Sequence, residues 1–190
     1  SMDGDLAPLD KLIPFCRKNK IISILDDAHG TGVLGDNGGG AAEHFHCCRE
    51  VDISMGTFSK AFAVSGGYVA ADRKIIEFMK YFSRSYMFSA SLPPVTLAAV
   101  AAGLDLIENE PELREKLRYN TSYAINNLKG FEFCHKPEAA IISIKIPPWV
   151  HLRKLNYRLH QKGLFVNAIE YPAVPKDAQR LRISIMVNHS

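Results

Sequence analysis

Three short stretches hold residues whose types and spacing could do chemistry: LDDAHGTG at residues 25–32, GTFSKAF at 56–62 and RLRIS at 180–184. In the first, Asp26 and Asp27 close a run that reads as a buried strand, and His29 follows within a turn. Ligands of open α/β sheets bind outside the carboxyl ends of the strands, so the position suits a site. The plainer alternative is that Asp27 caps a turn and His29 lies at the surface. In the second stretch Lys60 stands among Thr57, Ser59 and small residues, just after another strand-like run, VDIS. Hydroxyls beside an amine suit a ligand that carries both a phosphate ester and an amine-reactive carbonyl, and a desolvated lysine can form a Schiff base. A solvated lysine after a strand is the alternative. In the third, strand alternation puts Arg180 and Arg182 on one face, either a solvated face or a fork for a carboxylate.

Other groupings carry less. HFHCCRE offers His44, His46, Cys47 and Cys48, but adjacent cysteines do not easily reach one tetrahedral ion, and no second ligand pair follows at finger-like spacing, so no metal site is expected. The four cysteines form no CxxC and read as buried or incidental thiols. The glycines of GVLGDNGGG lack the spacing of a dinucleotide or P-loop cradle and read as a mobile turn.

The elements that must position these residues follow from the apolar pattern. Leu6, Leu9, Ile13 and Cys16 recur at helical steps, with Pro14 expected to kink or end that helix. IISILDD, VDISMGTF and GGYVAAD read as strands, RKIIEFMKYF as an amphipathic helix, and the proline-led VTLAAVAAGLDLIENE and PELREKLRYNTSYAINNLKG as two further helices. Alternating strands and helices imply an α/β fold with a mostly parallel sheet. After them EAAIISIKI, VHLRKLNYRLHQKG, LFVN and RLRISIMV read as strand, basic helix, strand and strand, a smaller α+β unit. The division expected is residues 1–105 for the first domain and 106–190 for the second, the latter incomplete at its end.

The composition is that of a globular protein: of 190 residues, 47% are hydrophobic and 23% charged, enough for a sizeable core. A net charge of +3 spread along the chain forms no nucleic-acid arm. No apolar run reaches the roughly 18 residues of a membrane span, and the first residues lack the pattern of a signal peptide. A cytoplasmic protein without nucleic-acid partners is the expectation.

Taken together and in this order, SMDGDLAPL, DDAHGTGVLG, DISMGTFSKAF, GGYVA, FSASLPP and RLRIS resemble the blocks of the α-oxoamine synthases. These are pyridoxal-phosphate enzymes of the fold-type-I aminotransferase architecture, and the resemblance runs along essentially the whole chain. It implies that Lys60 is the lysine of the internal aldimine and the general base, and that Asp26 pairs with the pyridine nitrogen. His29 then bonds the ring's 3-oxygen, Thr57 binds the cofactor phosphate, and Ser89 reaches the phosphate of the neighbouring subunit in a homodimer. Arg182 holds the substrate carboxylate, with Arg180 left as a structural or rim residue. The implied reaction condenses an amino acid with an acyl-CoA, with decarboxylation, to a 3-oxo amine. RSYMFSASLPP and NAIEYPAVP look closest to serine palmitoyltransferase-like members, which use serine and a long-chain acyl-CoA. Members resembling 8-amino-7-oxononanoate synthase and glycine C-acetyltransferase are the competing readings, and a non-catalytic partner or regulatory subunit is the alternative of another class. Family members are considerably longer, so the chain reads as a C-terminal fragment, for which weak or absent catalysis alone is expected.

Overall fold

The computed structural model describes residues 2–189. The chain divides into two compact units, Ala7–Pro111 and a second that joins Ser1–Leu6 to Glu112–Ser190. In the first unit the opening helix α1, Leu9–Lys18, buries Leu9 and Ile13. It runs through the exposed Pro14 rather than ending there. Proline removes one backbone donor, and the buried apolar face offsets that loss.

Strand β1, Ile24–Asp26, lies parallel to β2, Ile53–Thr57, with Ile24 opposite Ile53 and Asp26 opposite Met55. Three reciprocal hydrogen bonds between Ser23 and Asp52 support this register just before the ladder begins. Ser23 N and Ser23 Oγ both donate to Asp52 Oδ2 at 2.8 Å, and Asp52 N donates back to Ser23 Oγ at 3.0 Å. These bonds to the charged form hold the Asp52 carboxyl below its usual value, the Ser23 amide contributing most. A depressed folded-state pKa stabilises the fold above the unfolded value of about pH 4, and the contribution is lost as pH falls through the folded value. Asp52→Asn is therefore expected to flatten the acid limb of the stability curve, read from urea midpoints between neutral pH and the acid transition. An unchanged acid limb would count against the pairing.

Strand β3, Gly67–Ala71, runs antiparallel to β2, with Thr57 opposite Gly67, so the sheet β1-β2-β3 is mixed. The connection at residues 58–66 is too short for the crossover that parallel neighbours need. A short helix absent from the sequence reading, α2 at Ala41–His44, precedes β2 in the chain. Its Ala41 and Ala42 join Leu9, Ile13 and Cys47 in one core cluster, while the neighbouring Cys48 is exposed. The glycine-rich segment before α2 is ordered by Glu43, whose carboxylate accepts from Asn37 Nδ2 at 2.6 Å and Gly39 N at 2.7 Å. Helix α3, Arg73–Phe82, is capped by Asp72, which accepts from Lys74 N. A one-turn helix α4, Arg84–Met87, follows, and α5, Pro94–Asn109, begins with proline at its first position.

The second unit contains most of α6, Pro111–Asn127, followed by β4 at Ile141–Lys145, α7 at Leu152–Gln161, β5 at Asn167–Ile169 and β6 at Arg180–Ser184. Its sheet has the order β4-β6-β5, with every pairing antiparallel. Ile142, Ile144 and Leu181 pack with Leu152, Ala124, Ile125, Leu155 and Leu159 of the two helices. Strand β5 lies later than LFVN suggests, because the ladder begins where Asn167 meets Arg182, leaving Leu164 and Phe165 exposed. Among the described residues no helix is long and apolar enough to cross a membrane.

Candidate active site

Strands β1 and β2 run parallel, with Asp26 opposite Met55 and β2 continuing two residues further to Thr57, and their carboxyl ends deliver the residues with chemical potential. Asp26, the last residue of β1, is exposed, and Ala28 N donates to its Oδ1 at 3.0 Å. Asp27 turns the other way. It is 6% exposed, and its Oδ2 accepts from Ala41 N at 2.8 Å. A Cβ at Gly30 would fall 2.0 Å from Asp27 Oδ1, and one at Gly40 would fall 1.8 Å from Oδ2. The carboxylate is thus enclosed by two glycines, and Gly40 also holds a left-handed φ of 94°. Burial, opposed by the Ala41 amide and assisted by the Asp26 charge, pushes the Asp27 carboxyl up. The two adjacent acids therefore divide: Asp27 is enclosed within the fold, while Asp26 faces solvent at a strand end.

The Asp27 carbonyl accepts from Gly30 N at 3.1 Å, Thr31 N at 3.0 Å and Thr31 Oγ1 at 2.9 Å. That turn carries the half-buried His29.

Thr57 ends β2. Its hydroxyl donates to Gly66 O at 3.1 Å, so the contact of 2.9 Å with Ser59 Oγ has Ser59 as donor. Ser59 N also donates to Thr57 Oγ1. Lys60 follows, exposed and without an ion pair among the described residues. Its position is nevertheless fixed, because the flanking Phe58 and Phe62 are each 8% exposed and meet edge to face at 5.5 Å. Phe58 N donates to Gly66 O, and Val64 N donates to Phe58 O, closing the loop at residues 58–66. Between the desolvated and the solvated lysine that the sequence leaves open, the structure has the exposed one: the fold buries the aromatic neighbours and leaves the amine outside.

This donor set fits a phosphorylated aldehyde with a basic ring. An exposed carboxyl stands at the end of one strand, and a hydroxyl at the end of the next is followed in the loop by a second hydroxyl and an amine. The Thr57 and Ser59 protons are committed within the loop, so donating outward costs Ser59 one solvent-exposed hydrogen bond of about 1 kcal/mol.

Ser89 is exposed, just beyond α4 in the same unit. Arg182 belongs to the other unit and is described within it: half-buried on β6, opposite Ser143 and Asn167, with its NH1 donating to Ser184 Oγ at 3.1 Å. Burial lowers its pKa, with the charge of Asp3 opposing. Arg180 is 9% exposed and donates to both carboxylate oxygens of Asp3. The pairings of Asp27 with Ala41 and of Asp3 with Arg180 lie beyond what local patterns reveal. Among the described residues no group of three His, Cys, Asp or Glu side chains could hold a metal ion.

Comparison with known proteins finds relatives along the whole chain. The chain is 38% identical to the 8-amino-7-oxononanoate synthase of Petrotoga mobilis, over 100% of this chain and 49% of that protein. It is 38% identical to the serine palmitoyltransferase of Sphingobacterium spiritivorum, over 100% of this chain and 48% of that protein. Among solved structures, a serine palmitoyltransferase variant from S. paucimobilis with a bound PLP–myriocin aldimine superposes with a TM-score of 0.93 at 30% identity, covering 100% of this chain and 48% of its own. The chain thus spans about half the length of the curated relatives it matches. The model of the aminotransferase class I and II family matches residues 1–190, and the chain belongs to that family.

Proposed function

We propose that this chain forms part of a pyridoxal-phosphate-dependent C-acyltransferase of the α-oxoamine synthase type. It joins an amino acid to an acyl-CoA with loss of carbon dioxide, with serine and a long-chain acyl-CoA as the preferred pair. The observation that carries the reading is the placement of Asp26, Thr57 and Lys60 at the carboxyl ends of two adjacent parallel strands. Relatives that include both 8-amino-7-oxononanoate synthases and serine palmitoyltransferases support it.

In this reading Asp26 pairs with the cofactor's ring nitrogen, His29 with its phenolic oxygen, and Thr57 with its phosphate. When bound, pyridoxal phosphate supplies an electron sink for a carbanion at the α-carbon of the amino acid. Asp26, an exposed carboxyl group, would keep a proton on that ring nitrogen. Lys60 Nζ would hold the cofactor and, as general base, would take the α-proton of the amino acid. Arg182 orients the substrate carboxylate, for which its guanidinium fork is suited. Ser89 serves the phosphate of a second copy of the chain, in a homodimer. Support for the pairing is the exposed apolar run before Ser89, in which Tyr86, Met87 and Phe88 are 62%, 49% and 81% exposed.

Product analysis of the full-length protein tests this reading. Serine with palmitoyl-CoA is expected to give a higher kcat/KM than alanine with pimeloyl-CoA or glycine with acetyl-CoA, with coenzyme A and carbon dioxide released together. A higher value for either other pair replaces the subclass. No condensation with any pair, or DNA binding without a visible cofactor band, leaves the non-catalytic partner or regulatory reading.

A further inference from the structure

Two hydroxyls that serve none of the roles above connect the two sides of the candidate site. Thr31 Oγ1 uses its only proton on the Asp27 carbonyl, so in its 3.1 Å contact with Tyr68 OH the tyrosine is the donor. Tyr68 stands opposite Gly56 on β3, and its ring lies where a side chain on β2 would be. A Cβ at Gly56 would come within 2.5 Å of Tyr68 Cε1 and 2.8 Å of Thr31 Oγ1. The absence of a side chain at residue 56 is what lets the ring cross the strand to reach Thr31. On its other side the ring lies 5.8 Å from that of Phe58, the first anchor of the loop that carries Lys60. Both hydroxyls are partly buried, which strengthens the bond between them relative to one in water.

We propose that Thr31 and Tyr68 are positioning residues: their hydrogen bond ties the turn that follows Asp26 and carries His29 to the aromatic base of the Lys60 loop. Its effect on cofactor binding rests on the function proposed above, whereas the mechanical link does not. Without the bond, each side stays folded on its own contacts, the turn on Asp27 and the loop on Phe58 and Phe62, but their relative placement loosens.

The test uses the full-length protein and the variants Tyr68→Phe, Thr31→Val, their double, and Thr31→Ser. Without cofactor, amide exchange at Phe58 and Val64 is expected to rise about fivefold in Thr31→Val, the equivalent of one neutral hydrogen bond. Exchange at Thr31 is expected to rise to the same extent in Tyr68→Phe, so either single variant suffices should the other fail to fold. With pyridoxal phosphate, each single variant is expected to bind about fivefold more weakly and to shift the pH midpoint of the Lys60-dependent visible band. The double variant is expected to be no worse than either single one, and Thr31→Ser to match the parent. Additive losses, unchanged exchange across the bond, or a change in melting temperature alone would overturn the proposal. Absence of any visible band in the parent protein would instead defeat the proposed function, while the exchange data still decide the link.

Discussion

Replacing Lys60 by alanine is expected to abolish the visible absorbance that pyridoxal phosphate produces on binding the full-length protein, and to lower turnover by roughly 10²–10⁴ or more, the range lost with a general base. The fold makes this substitution unusually clean. Lys60 is exposed, while the loop around it is held by the buried rings of Phe58 and Phe62 and by the backbone bonds of Phe58 and Val64. An exposed side chain removed from such a loop changes stability by about 0.5 kcal/mol or less, so a fall in activity cannot be ascribed to unfolding. Lys60→Arg is expected to fail equally, because a guanidinium stays protonated and offers no free base. Absorbance titration and steady-state kinetics, run beside a thermal melt, check the three parts together. A visible band that survives in Lys60→Ala would show that another amine holds the cofactor, and the assignment of Lys60 would fall.

How much of this was legible beforehand depends on the range of the interactions involved. The strand ends bearing Asp26 and Thr57 could be read from local runs, since a β-branched stretch closed by polar residues marks its own boundary. Which of the two adjacent acids faces outward could not be read that way. The resemblance to a family pointed to Asp26, but the physical reason lies in Asp27, whose carboxylate is enclosed by Gly30, Gly40 and the Ala41 amide. That contact closes a loop of modest length through a helix of one turn, too short to leave a periodic signature. Similarly, alternation put Arg180 and Arg182 on one face but said nothing of what covers that face. The mixed sheet was implicit in the short loop between β2 and β3, because a connection of that length closes a hairpin. Tyr68 gave no signal, since its relevance depends on a glycine across the ladder.

The partner of Arg180 lies at the far end of the chain, and separating the two is expected to give the largest stability loss in the molecule. Arg180 NH1 donates to Asp3 Oδ1 at 2.5 Å and to Oδ2 at 2.6 Å, with side-chain exposures of 11% and 12%. Arg180 Nε is satisfied by the Ala178 carbonyl. The same N-terminal segment is fastened on either side of Asp3: Ser143 Oγ donates to the Met2 carbonyl, and the Gly4 carbonyl accepts from Glu138 N and Ala139 N. Gly4 is close enough to β4 that a Cβ would lie 2.0 Å from the Ile141 carbonyl oxygen. Arg180→Ala leaves the Asp3 carboxylate buried without its cation, which costs about 3–5 kcal/mol. Asp3→Ala strands the guanidinium and is expected to cost a similar amount. The double variant Asp3→Leu with Arg180→Met should recover much of the loss, because the expense lies in the unpaired charge rather than in the missing pair. Urea unfolding of Asp3→Leu, Arg180→Met and their double variant closes a double-mutant cycle and measures this coupling. Additive single losses would mean that Asp3 and Arg180 stabilise the unit independently, and the N-terminal segment would then be held by its other hydrogen bonds, those of the Met2 and Gly4 carbonyls among them.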